Sequence, residues 1–385
     1  MINLRVILGC LFSGLLASGW VQAQPVYFNT SSAIQSQNTL ASVAANGGGN
    51  TTLFTANAAV FRCISMAVDA LNGKLFLVDG GANAIWSVNL DGTGLTLVKA
   101  RLASFPTDLA LDVLNQTIYL TTSSTIQGDN TVERFDYAGN SRALLFTATG
   151  DTGNGVSRCT AIALDLLHSK MFLADAGAQK IWSLDLAGNS LTALATTTNA
   201  FPTGLALDTT NQQVYFTASS TVQSSNLIHR VNYDGFGLIT RFTASGGVQR
   251  CTALDLDVPN ATIYLSDAGA NTLWRIPLGG GTATTVLSGL TATAKKVRWF
   301  NGPTTRPPPG VTGLQLSGAD LVLTGTNGFV GGTYYLLTST KVNLPVNQWL
   351  PVSTNVLAAS GDFTINATNV VGGTSPQQFF ILRVE

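Results

Sequence analysis

Three Arg-Cys dipeptides pose the chemical question of this sequence: Arg62-Cys63, Arg158-Cys159 and Arg250-Cys251, spaced 96 and 92 residues apart. Each opens an apolar segment and is followed by an aspartate at the end of the next segment, Asp79, Asp175 or Asp267. Three guanidiniums converging on one point would hold a carboxylate, sulfate or phosphate through paired N–H donors. The aspartates offer a competing use. Burial favours paired charges, so structural ion pairs between Arg62, Arg158, Arg250 and Asp79, Asp175, Asp267 are the first expectation and an anion site the second. Cys63, Cys159 and Cys251 divide in the same way. Three equivalent thiolates suit a soft metal in a trigonal site, whereas three free thiols in equivalent places suit small apolar core positions. Core packing is the first expectation, and no metal or other cofactor is required.

The elements that position these residues emerge from internal repetition. The Arg-Cys units contain strands ending in Asp69, Asp165 and Asp257, then the strands ending in Asp79, Asp175 and Asp267, then Trp86, Trp182 and Trp274. Between them lie units opening on Phe105-Pro106-Thr107 and Phe201-Pro202-Thr203, each continuing through Leu-Ala-Leu-Asp, an Asn-Gln turn, a Tyr-bearing strand and a Ser-Ser-Thr loop. Residues Tyr27–Gln35 match Tyr119–Gln127 and Tyr215–Gln223, so the chain enters the repeat inside a Phe-Pro-Thr unit that lacks its first strand. Lys295-Lys296-Val297-Arg298-Trp299-Phe300 stands where that strand is needed, although its sequence is unlike the others.

Each unit has about four short strands separated by turn signals, which predicts an all-β chain. Radial repetition of four-stranded sheets makes a β-propeller. The expected architecture is a six-bladed β-propeller over residues 24–300, closed by a split blade that joins the N-terminal strands to a strand near 295–300. A Pro-rich linker at 301–310 and a small β-sandwich at 311–385 complete the chain. Residues 1–23 read as a secretory signal peptide: Arg5, an apolar run from Val6 to Trp20, and Val21-Gln22-Ala23 before the cut.

The strands Tyr264-Leu265-Ser266-Asp267, Phe76-Leu77-Val78-Asp79 and Phe172-Leu173-Ala174-Asp175, with the Asn89-Leu90-Asp91-Gly92 turn, resemble the six-bladed propellers of the low-density-lipoprotein-receptor YWTD and NHL groups. The likeness covers about Pro25–Phe300. The Trp of the motif is absent from every copy, and the Phe-Pro-Thr units lack the Asp. The resemblance implies the fold and a recognition role, without carrying over ligand residues. Gly331-Gly332-Thr333-Tyr334-Tyr335, Trp349-Leu350-Pro351-Val352 and Gly361-Asp362-Phe363 resemble a C-terminal module of secreted bacterial proteins.

In such a propeller Arg62, Arg158 and Arg250 would ring one end of the channel. Phe105, Phe201 and the loop residues Ser124, Gln127, Ser220 and Gln223 would share that face as a neutral hydrogen-bonding rim for a glycan or an extended peptide. With only 10% charged residues and zero formal charge, the chain has no electrostatic footprint for nucleic acid. No segment after the leader is apolar and long enough to span a bilayer. His168 and His229 occupy unrelated repeat positions, and no hydrolase or phosphate-loop motif occurs. The expectation is a secreted or cell-surface recognition or scaffold protein with no catalytic residues, binding protein or glycan. A lactonase- or lyase-type propeller enzyme and a structural surface protein are the alternatives.

Overall fold

The computed structural model describes residues 10–11, 25–100, 102–150, 153–299, 310–328, 333–341, 344, 348–356, 361–371 and 378–384. Contacts divide the chain into two units, Gln22–Gly302 and a second one holding Pro303–Glu385 with Met1–Val21.

The first unit contains six antiparallel four-stranded sheets among the described residues. Each Arg-Cys or Phe-Pro-Thr repeat is one sheet, whose strands follow chain order from inside to outside. The inner strands are Cys63–Asp69, Phe105–Asp112, Cys159–Asp165, Phe201–Asp208, Cys251–Asp257 and Thr293–Trp299. Each touches the next around a closed circuit, and Thr293–Trp299 touches Cys63–Asp69. The closing sheet is the split one: Thr293–Trp299 pairs antiparallel with Pro25–Ser31, with Val26 opposite Trp299 and Ser31 opposite Thr293. Strands Thr39–Ala44 and Thr51–Thr55 complete it. A ring fastened by its two ends exposes only the short outer strands as edges.

Why the first two strands of each sheet form is visible in their burial. Sheets covered on both faces favour continuous apolar runs rather than alternation, and Ala161, Ile162, Met171, Phe172, Leu173 and Ala174 are all fully buried. Cys63, Cys159 and Cys251 sit in three different apolar clusters between neighbouring sheets. The three thiols therefore lie apart, each packed as a small apolar side chain, rather than converging as a trigonal site would need. Burial pushes the thiols of Cys63 and Cys251 up to about 12. Turns at the far end are capped alike: Asp69, Asp112, Asp208 and Asp257 each accept from the asparagine three residues on. His168 replaces that asparagine opposite Asp165, with Nδ1 2.8 Å from the carboxylate. Its place is thus a turn cap.

In the second unit, strands Gly310–Ser317, Asp320–Gly328 and Gly361–Ala367 form one sheet. Thr333–Ser339, Leu350–Val356 and Phe379–Val384 form another, and residues from both share one core that includes Leu321, Leu323, Tyr334, Leu336, Phe363 and Phe380. Cys10–Leu11 pairs in parallel with Leu382 and Arg383 at the edge of the second sheet. The rest of the expected leader and residues 301–309 of the expected linker lie outside the described residues. No helix among the described residues is long and apolar enough to cross a membrane.

Candidate functional site

Every inner strand carries a β-bulge at the same place. The register breaks at Ile64, Thr107, Thr160, Thr203, Thr252 and Lys295, each of which has no partner residue across the first hairpin. A bulge re-aims the side chain it adds. All six of these residues line one cavity of about 220 Å³ on the ring axis. The next residue of each strand forms a second layer: Ser65, Asp108, Ala161, Gly204, Ala253 and Lys296. Two residues further come Ala67, Ala110, Ala163, Ala206, Asp255 and Arg298, which line a cavity of about 330 Å³ at the opposite end.

The second layer holds the buried charges. Lys296 Nζ donates to Asp108 Oδ2 at 2.6 Å, although the lysine is only 4% exposed and the aspartate is buried too. Asp108 also accepts from the Ser65 hydroxyl and from the Ile162 amide at 3.1 Å. One carboxylate therefore ties together four inner strands, those carrying Lys296, Ser65, Asp108 and Ile162. Burial, followed by the Arg298 guanidinium, pulls the Lys296 amine down to about 8, with Asp108 pulling the other way. Burial and the charges of Arg62 and Arg250 likewise lower Lys295. At the other end burial raises the Asp255 carboxyl, opposed by Arg298 and by the Trp299 amide, which donates to it at 2.8 Å.

The arginines expected to ring the channel end up unequal. All three are exposed, but Arg62 lines the axial cavity whereas Arg158 and Arg250 lie outside its lining. The expected ion pairs are also corrected. Asp79 accepts from the amides of Phe61, Arg62, Gly81 and Ala82 at 2.8–3.1 Å. Asp175 and Asp267 bind the Arg158 and Arg250 amides in the same way at 2.8 Å and add the indole N–H of Trp182 and Trp274 at 3.2 Å. Among the described residues no ion pair joins these aspartates to the three guanidiniums. The repeat conserves a main-chain cap, and four amide donors leave the carboxylate oxygens little capacity for a guanidinium.

The loop residues also differ from the expected polar rim. The Ser124 hydroxyl accepts from the Ile126 amide and the Ser220 hydroxyl from the Val222 amide. Gln223 donates to the carbonyls of Gly246 and Val248. Asn226, fully buried, donates to the carbonyls of Ser220 and Val222. Gln127 lies in the equivalent turn, Gln127–Asp129, and its side chain lies outside the described residues. The polar groups hold their own loops, and apolar tips face outward: Ile34 is 57% exposed, Ile126 65% and Val222 57%. Phe61, Phe105 and Phe201 are exposed at the same end of the ring.

Sequence reasoning missed the Lys296–Asp108–Ser65 network. Two signals were present. Lysines occupy a strand position where the other repeats have Thr or Ile followed by a small residue or Asp, and Asp108 stands where the sister unit has Gly204.

No protein-family model matches this sequence, and no curated protein matches it. Solved structures do. A chain in the structure of a nidogen/laminin complex aligns over 71% of this chain and 97% of its own length, with 16% identity and a TM-score of 0.60. TolB from Acinetobacter baumannii aligns over 71% of this chain and 66% of its own, with 10% identity and a TM-score of 0.56. At such identities the likeness concerns backbone architecture, and it shows that the chain carries a β-propeller.

Proposed function

We propose that the protein is a non-catalytic recognition module, exported to the cell surface or beyond, that docks a protein partner on the bulge-bearing face of its propeller. The observation that carries this reading is the set of outward apolar side chains Ile34, Ile126, Val222, Phe61, Phe105 and Phe201 on one face. Grouped exposed apolar residues mark contact surfaces, and aromatic anchors dominate binding energy at such surfaces. Ser124, Ser220, Gln223 and Asn226 already spend hydrogen bonds on holding loops in place, which favours protein over glycan. A similar propeller has been solved in a nidogen/laminin complex, and fold likeness adds modest weight.

The triple variant Ile34→Ser, Ile126→Ser, Val222→Ser tests it. Against an array of purified extracellular-matrix and surface proteins, the wild-type chain is expected to bind some members and the variant to bind them about tenfold more weakly, each lost anchor weakening the contact. Melting temperature should be unchanged. A glycan array giving strong, variant-insensitive signals, or protein binding indifferent to the triple substitution, overturns the reading.

A further inference from the structure

We propose that the axial cavity at the bulge-bearing end is a binding site for a small organic carboxylate. The inference is separable from the protein-docking reading, because it concerns the interior of the ring rather than its apolar loop tips, and of the residues named for docking only Phe105 also lines the cavity.

Charge balance is the first support. Lys296 forms the floor of the cavity, and Lys295 and Arg62 stand on one wall. Arg250 lies close enough to act on the Lys295 ammonium. Among the described residues the only carboxylate in the lining is Asp108, which is engaged with Lys296, Ser65 and the Ile162 amide. An ammonium has three N–H bonds to place, and Asp108 takes one of those of Lys296. Three cations therefore face the cavity against one anion.

The walls define the rest of the ligand. Thr107 donates to the Cys159 carbonyl at 3.0 Å and Thr160 to the Pro202 carbonyl at 2.8 Å, each tying one sheet to the next, while Thr203 shares a bond with Thr217 inside its own sheet. These hydroxyls are thus engaged, so the charged side chains are the main donors left for a guest. Ile64 and Phe105 supply an apolar wall. A volume of about 220 Å³ equals roughly seven waters of bulk liquid. The fit is a carboxylate on a short apolar or aromatic body. Its charge would sit between Lys295, Lys296 and Arg62, and its body against Ile64 and Phe105.

Calorimetric titration with benzoate tests this, with benzamide and inorganic phosphate as the comparison arms. Benzoate is expected to bind saturably and benzamide about tenfold more weakly or worse, the cost of one lost charged hydrogen bond. Lys295→Met and Arg62→Met, at partly exposed or exposed positions, should each weaken benzoate about tenfold with no change in melting temperature. At pH 8 the bound carboxylate should draw a proton onto Lys296, which faces Asp108, Arg298 and Asp255 within the ring and Lys295 and Arg62 along the cavity. That uptake is read as a heat that depends on the buffer's ionisation enthalpy. Absence of saturable benzoate binding, equal binding by benzamide, tighter binding of phosphate, or affinity unchanged in both variants would each overturn the assignment.

Discussion

One layer of the ring is built in two ways. On three consecutive inner strands the layer carries Lys296, Ser65 and Asp108, and on the other three it carries Ala161, Gly204 and Ala253. The backbone register is the same throughout, so the difference lies wholly in side chains. The first half closes the axis with a buried charged network. The second closes it by close approach of backbone: a Cβ placed on Gly204 would lie 2.7 Å from the Ala253 Cα. A repeat scaffold thus sets where the axis is lined, while single departures from the repeat decide whether the lining is polar.

Breaking the charged half should have the largest effect. Asp108→Ala strands the Lys296 ammonium without its anion and releases Ser65 and the Ile162 amide, a loss of about 3–5 kcal/mol for a broken buried pair. Urea unfolding measures it. The double variant Asp108→Leu, Lys296→Met sharpens the comparison. It should cost less than Asp108→Ala alone, since apolar replacement of a whole buried pair is often neutral. If the double variant is as unstable as the sum of the singles, the two residues are not coupled.

Breaking the small half should cost less. Gly204→Ala forces the Phe201–Asp208 and Cys251–Asp257 strands apart, and overpacking of this kind costs about 1–3 kcal/mol. The same substitution at the open turn glycine Gly246, where nothing stands within 4 Å of a new Cβ but φ is +57°, separates crowding from backbone strain.

The smallest effect concerns the cores between sheets rather than the axis. The folded thiols of Cys63 and Cys251 titrate near about 12, above the ordinary thiol value. The unfolded chain therefore loses these protons first, and stability falls as pH rises from about 9 towards 12. By pH 10 the fall is about 1 kcal/mol per thiol. Lys296 has the opposite sign: its amine is lowered to about 8, so the unfolded chain holds more protons up to about 10.5 and stability rises over that window. Melting curves of wild type and Cys63→Ala, Cys251→Ala from pH 8 to 10.5 should diverge, with the variant falling less. Parallel curves would show that these thiols do not carry the alkaline loss.

Much of the ring was legible because repeats write strands and turns locally. A strand near 295–300 was expected to complete the N-terminal sheet from the match of that sheet to interior units, and Thr293–Trp299 does pair with Pro25–Ser31. The Arg62–Asp79 ion pair was misread because sequence distinguishes poorly between a carboxylate facing a guanidinium and one facing that residue's own amide. The polar rim was misread for a related reason. Ser124, Ser220 and Asn226 are turn formers whose hydrogen bonds turn inward, which leaves Ile126 and Val222 outside.

The order of the strands, the free buried thiols and the strand that completes the first sheet were determined by the sequence alone. These follow from apolar runs and turn residues acting over a few tens of neighbours. The tertiary ring alone decided that Ser65 and Lys296, respectively 43 and 188 residues from Asp108 along the chain, meet it on the axis. A charged contact of that kind has no local periodicity to announce it. It exists only once closure brings inner strands from separate repeats within hydrogen-bonding distance and removes the water that would otherwise solvate them.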